Sequence, residues 1–177
     1  MVNAVRQVLK AGKEVLYFDT AMGEVPEPIW ELANAYPERL GVFTEDLHPT
    51  DRTQMDDRYG TLRAPVMLVG GLAATADSFE VLTGMALGLQ KKGLQPLVIS
   101  RQPLGKLFRF HSLNHIFNSR DGAEADRILG LNTFLQDLER RYLPDLILME
   151  APDPVMRYNN IAPNGFGIRT YMLCQAA

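Results

Sequence analysis

The chain has 177 residues, enough for one domain with a proper core and too few for two of ordinary size. Hydrophobic residues make up 46% and charged residues 22%, and the formal net charge of −3 gives no reason to expect nucleic-acid or acidic-membrane binding through bulk charge. One cysteine, Cys174, excludes an internal disulfide and any multi-cysteine metal site, and neither a span of roughly 18 apolar residues nor a signal-peptide core is present, so a cytoplasmic location is expected.

In chain order, residues 2–10 read as a short helix ended near Gly12, and residues 14–19 as a buried strand. Residues 28–36 are helical, with Pro28 suited to a first turn. Residues 44–64 are charged, aperiodic and bounded by proline breaks, and read as a connector. From there the pattern becomes regular. Apolar runs at 66–70, 96–100 and 146–150 have the form of parallel strands covered on both faces. Between them, Phe79, Leu82, Met85, Ala86 and Leu89 share one face of a helix over 78–92 that Gly93 ends. Ile128, Leu131, Leu135, Leu138 and Tyr142 mark a longer helix, and residues 166–177 a closing one, with Cys174 on its apolar face. This predicts a single α/β domain over 1–177, with 44–64 as a connector within it. Its parallel sheet has about four strands with flanking helices, Rossmann-like or degenerate P-loop-like.

In such sheets ligands sit beyond the carboxyl ends of the strands, which selects residues 70–78, 101–110, 150–160 and 19–23. The first stretch, GGLAATADSFE from Gly70, sits where a phosphate loop belongs. A P-loop reads GxxxxGK followed by Ser or Thr; here Gly71 and Ser78 fit, while Ala76 and Asp77 replace the second glycine and the lysine. A carboxylate in the lysine's place sets like charge against the terminal phosphates, so standard NTP hydrolysis is not expected. Asp77 and Glu80 also form a capping-box pattern that would fill the same anion position with the chain's own carboxylate.

His111 and His115 have an i, i+4 spacing that can bind metal on a helix, but no acidic or cysteine partner accompanies them and no metal is expected. His111 could instead meet an anion beside Arg101. Asn118 to Asp121 loosely matches a guanine-reading NKxD motif, but Asp121 with Glu124 reads better as a helix start. Glu150 ends the last strand, followed by a proline-stiffened polar loop with Asp153, Arg157, Asn159, Asn160 and Asn164. The candidate ligand-binding residues are Gly70, Gly71, Thr75, Ser78, Arg101, His111, Ser112, Glu150, Asn159 and Asn160.

Residues 65–72 (PVMLVGGL), Asp77 to Glu80, Ser100 with Arg101, residues 107–112 (LFRFHS) and residues 158–168 (YNNIAPNGFGI) occur in an order that resembles the peptide-maturation-system proteins found beside radical-SAM enzymes in clostridial natural-product clusters. The resemblance covers roughly residues 65–177. Ser78 stands where that family has lysine in Asp-Lys-Phe-Glu, and the family's proteins are longer at both ends, so a reduced core or one piece of a larger assembly is expected. The resemblance implies an accessory protein acting with other enzymes.

The first expectation is therefore a non-catalytic accessory protein that binds a partner enzyme or precursor peptide, with a nucleotide or other phosphate-bearing ligand as the candidate cofactor. An NTP-dependent maturation factor resembling metallochaperone GTPases is the alternative from the enzyme class. A structural subunit completed by homo-oligomerisation is the third, since Gly84 and Gly88 on one helix would admit a close neighbour; packing of both glycines on the sheet is the simpler expectation.

Overall fold

The structure is a computed structural model that describes residues 1–18, 25–44, 59–72, 76–113, 116–117, 123–154 and 167–177. The chain forms two compact units, Met1–Leu47 and His48–Ala177.

The first unit contains α1 (Val2–Lys10), β1 (Val15–Phe18), α2 (Glu27–Ala35) and β2 (Leu40–Phe43). The two strands pair in parallel, Val15 opposite Leu40 and Phe18 opposite Phe43, and the two phenylalanine rings stack at 4.9 Å. Leu9, Ile29, Leu32 and Leu40 make a small core of their own. β2 carries Gly41 because a side chain there would crowd Leu16 and Phe43, at 3.1 and 3.2 Å from an added Cβ. That glycine breaks the β-rich pattern, which is why the strand is not apparent in the sequence.

The second unit contains β3 (Val66–Val69), α3 (Ser78–Lys91), β4 (Pro96–Ile99), a short 3₁₀ helix (Pro103–Phe108), α4 (Glu124–Tyr142), β5 (Leu146–Glu150) and α5 (Ile168–Ala176). Its sheet is parallel throughout in the order β3-β5-β4, so the last strand enters between the first two. The expected single sheet of about four strands is thus corrected to five strands, among the described residues, in two parallel sheets, one of two strands and one of three.

Alternation along the strands assigns the faces. Leu97, Ile99, Ile147 and Met149 meet Leu131, Phe134, Leu135 and Leu138 of α4 and Met172, Leu173 and Ala176 of α5. Val98 and Leu148 point the other way, onto Leu82 and Ala86 of α3. With both faces covered, every residue of β5 is buried, which explains its uninterrupted apolar run.

The helix ends follow local chemistry. Asp77 Oδ1 accepts the Glu80 N–H at 3.0 Å and caps α3, and Gly93, at φ 82°, receives the chain as it leaves. α4 starts differently from the expected Asp121–Glu124 pattern: Asp126 Oδ2 accepts the Ala123 N–H at 2.9 Å, and Asp121 lies outside the described residues. Gly84 and Gly88 do not pack on the sheet. Both are exposed, and a Cβ at either would meet nothing within 4 Å. Cys174 likewise faces outward, because Thr170, Met172, Leu173 and Ala176 take the inner face of α5.

The described end of the expected connector, residues 59–64, lies along α4. There the buried Asn132 uses its whole amide: Nδ2 donates to the Gly60 and Ala176 carbonyls (2.9 and 2.7 Å), and Oδ1 accepts from Gly60 N–H and Gln136 Nε2 (3.0 and 2.6 Å). Asn132→Ala would leave backbone groups unpaired and should cost about 2–3 kcal/mol in urea denaturation. Asn132→Asp, nearly identical in shape, should cost at least as much because a carboxylate cannot donate to the two carbonyls; wild-type stability in either variant would contradict this assignment.

Candidate functional site at the strand ends

β5 ends on Glu150, and alternation points its side chain to the face that carries Leu148, toward the first residue of α3. The same parity carries Ser100, two residues beyond Val98, to that face. The sheet order then brings together groups 50 and 72 positions apart in the chain.

The resulting geometry is closed around one carboxylate. Oε1 accepts from the Ser78 hydroxyl at 2.8 Å and from Arg101 Nε at 3.4 Å. Oε2 accepts from the Ser100 hydroxyl at 2.7 Å and from the Arg101 backbone N–H at 3.1 Å. Each oxygen therefore has two donors. The Glu150 side chain is 0% exposed and that of Arg101 36%, so the pair has a wet side and a dry side. Arg101 Nη1 also donates to the Pro152 carbonyl at 3.1 Å, and the Ser100 hydroxyl accepts the Gln102 N–H at 2.9 Å. Two serines, one arginine and one backbone amide together replace the water that the carboxylate has lost.

The loop after β3 sits close by. A Cβ on Gly70 would lie 3.1 Å from that of Ala151, so the glycine lets the ends of β3 and β5 approach. Gly71 is half-buried, Ser78 is buried, and Asp77 occupies the N-terminus of α3 as its cap. Beyond β5, Asp153 holds Arg169 through Nε and Nη2 (2.9 and 2.6 Å) and accepts the Arg169 backbone N–H at 2.9 Å, which ties the strand-end loop to the start of α5.

Of the residues expected from the sequence, Ser78, Arg101 and Glu150 come together and Gly70 and Gly71 border them. His111 lies in a second place. Its backbone pairs with β4, its N–H reaching the Val98 carbonyl and its carbonyl taking the Ser100 N–H, both at 2.9 Å. Its ring stands 4.9 Å from that of Tyr142 at the far end of α4. Being extended, His111 does not offer the helical i, i+4 arrangement. Ser112 follows it, half-buried, and Thr75, Asn159, Asn160 and His115 lie outside the described residues. Ser100 was missed as a site residue: parity with Val98 gives the face it points to, but the order β3-β5-β4 is what brings Glu150 to it.

No family model, curated protein or solved structure matches the chain.

As it stands, the cluster fixes a buried charge. Both carboxylate oxygens are already engaged, and Glu150 is positioned to join β4, β5 and α3 at one end. Glu150→Ala should cost about 2–4 kcal/mol, since it leaves the Ser78 and Ser100 hydroxyls and the Arg101 N–H without their buried acceptor, whereas Ser100→Ala should cost about 1–2 kcal/mol. Glu150→Gln keeps the shape but loses the charge-assisted bonds and should fall between them. Chemical denaturation of the three variants checks the ranking, and equal losses would show that Glu150 is not the centre of the network.

Proposed function

We propose that the protein is a non-catalytic accessory protein of an enzyme or peptide-maturation system, built on a degenerate P-loop-like or Rossmann-like core. The observation that carries this reading is the saturation of Glu150 by Ser78, Ser100 and Arg101. A catalytic carboxylate at a strand end needs a lone pair directed at substrate, metal or water, and here both oxygens are turned inward. The charges around it agree. Arg101 is held by Glu150, Arg169 by Asp153, and the α3 N-terminus by Asp77, so among the described residues these three anion-binding elements of this end are matched to the chain's own carboxylates. The resemblance of residues 65–177 to peptide-maturation-system proteins supports the same setting. A phosphate-bearing ligand would enter by exchanging with Glu150 for the half-exposed Arg101 guanidinium.

One observation favours the enzymatic alternative. In a P-loop site the Ser or Thr hydroxyl and a carboxylate from a neighbouring strand hold the magnesium ion between them, and Ser78 and Glu150 stand 2.8 Å apart on such elements. The lysine that would carry the terminal phosphates is absent at Asp77, which weighs more heavily.

Calorimetry and thermal shift with MgATP, MgGTP and inorganic phosphate, combined with a phosphate-release assay, separate the two. The accessory reading expects no turnover, and expects any millimolar phosphate binding to disappear in Arg101→Ala. Hydrolysis that is lost in Ser78→Ala would overturn it in favour of the NTP-dependent factor.

A further inference from the structure

The second place, where His111 meets β4, has its own opening. In a parallel ladder the N–H and C=O of one residue point to the same side. The Asp145 N–H donates to the Gln95 carbonyl at 3.1 Å, so the odd-numbered residues of β4 face β5. The His111 N–H donates to the Val98 carbonyl, so the even-numbered residues face the outer edge. Continued one step back, that outer ladder would place Arg109 opposite the Val98 N–H. Arg109 has a left-handed backbone, φ 60° and ψ 30°, as it leaves the 3₁₀ helix, and the chain turns away. Among the described residues no backbone group is bonded to the Val98 N–H on this side or to the Pro96 carbonyl. One donor and one acceptor therefore remain, spaced to take the N–H and C=O of a single residue in register with Leu97.

They open into a cleft of about 280 Å³ bordered by Gln90, Phe108, Arg109, Phe110, His111 and Tyr142. Small-molecule sites start at roughly 300 Å³, so this volume suits one or two side chains better than a nucleotide. Phe108 is 46% exposed and Tyr142 53%, giving an aromatic border to a polar backbone pair. Among the described residues no acidic side chain lines the cleft, while Arg109 contributes a cation.

The geometry points to a docking site for an extended, acidic peptide segment: one residue pairs its backbone with Pro96 and Val98, a bulky apolar neighbour enters the cleft, and a carboxylate meets Arg109. This is strand addition to a sheet edge, in which main-chain bonds supply affinity and alternate side chains supply specificity. The inference rests on the accessory reading for its choice of a peptide partner, and it shares no side chain with the Glu150 network.

The probe is an acetylated, amidated hexapeptide with a tryptophan followed by an aspartate within alternating valine and threonine, titrated into the ¹⁵N-labelled full chain. Saturable shifts of the Val98 and His111 amides are expected, with a Kd of about 1 mM or tighter. N-methylation of successive peptide residues should weaken binding about tenfold at one position only, the residue whose N–H meets the Pro96 carbonyl. Arg109→Gly, which suits the left-handed backbone and removes the cation, should weaken binding severalfold while leaving the spectrum folded. The inference is overturned by an absence of binding at about 1 mM. Val98 amide protection in the free protein, including protection by self-association, would also overturn it, as would N-methyl effects of equal size at every position. If the peptide fails and no nucleotide is turned over, only this inference falls; if the peptide binds and nucleotide is hydrolysed, only the accessory reading falls.

Discussion

Taking a carboxylate out of water is costly unless donors replace its hydration shell, and Glu150 sits where none of its side chain reaches solvent. The second unit meets that requirement with four donors drawn from the first residue of α3 and the two residues after β4. This makes the arrangement of the strand ends specific as well as stable. A one-residue slip of β5 would turn Glu150 into the apolar layer against α4 and bring Met149 to the serines. Apolar packing alone would discriminate weakly here, because Leu146, Ile147, Leu148 and Met149 are close in size and all buried. The charge supplies the missing discrimination, since only one register gives it partners.

The same constraint decides what this end of the sheet can offer a ligand. A strand-end crevice becomes an anion site when helix amides and cations point into it unopposed. Here Asp77 caps the helix terminus and Glu150 pairs with Arg101. Both carboxylates sit on the elements that would otherwise contact phosphate. An occupant of this crevice must therefore compete with two intramolecular interactions, one at a helix cap and one with a buried ion pair.

Much of the second unit was legible because buried parallel strands leave continuous apolar runs, and 66–70, 96–100 and 146–150 each became a strand. Helices α3 and α4 followed from their apolar periodicity, and the Asp77 cap from a local pattern. What resisted reading was non-local or depended on a neighbour's shape. β2 is held by its pairing with β1 and needs Gly41 for clearance, which looks like a strand breaker in isolation. Which way Gly84, Gly88 and Cys174 face is set by how α3 and α5 rotate against the sheet, and short sequence periods fix that rotation poorly. Ser100 looked like the polar end of a strand; its role became visible only when β5 entered beside β4 and brought Glu150 within reach. His111 reads in the sequence as a loop residue beside Arg101; its backbone instead pairs with β4 and its ring stands by Tyr142, away from the Glu150 network.

The contrast between the closed strand ends and the open edge of β4 has a physical reason. A three-stranded sheet has two edges, and unpaired edges invite indiscriminate pairing with other chains. Pro96 removes one outward donor at the start of β4, and His111 satisfies the outward groups at its end. Together they shorten the exposed ladder to one acceptor and one donor. So short an edge cannot template a long strand, and a partner gains little from main-chain bonds unless its neighbouring side chains also fit the aromatic cleft. Selectivity at this edge thus comes from limiting the backbone contact, much as selectivity of register at the strand ends comes from limiting where a buried charge can find its donors.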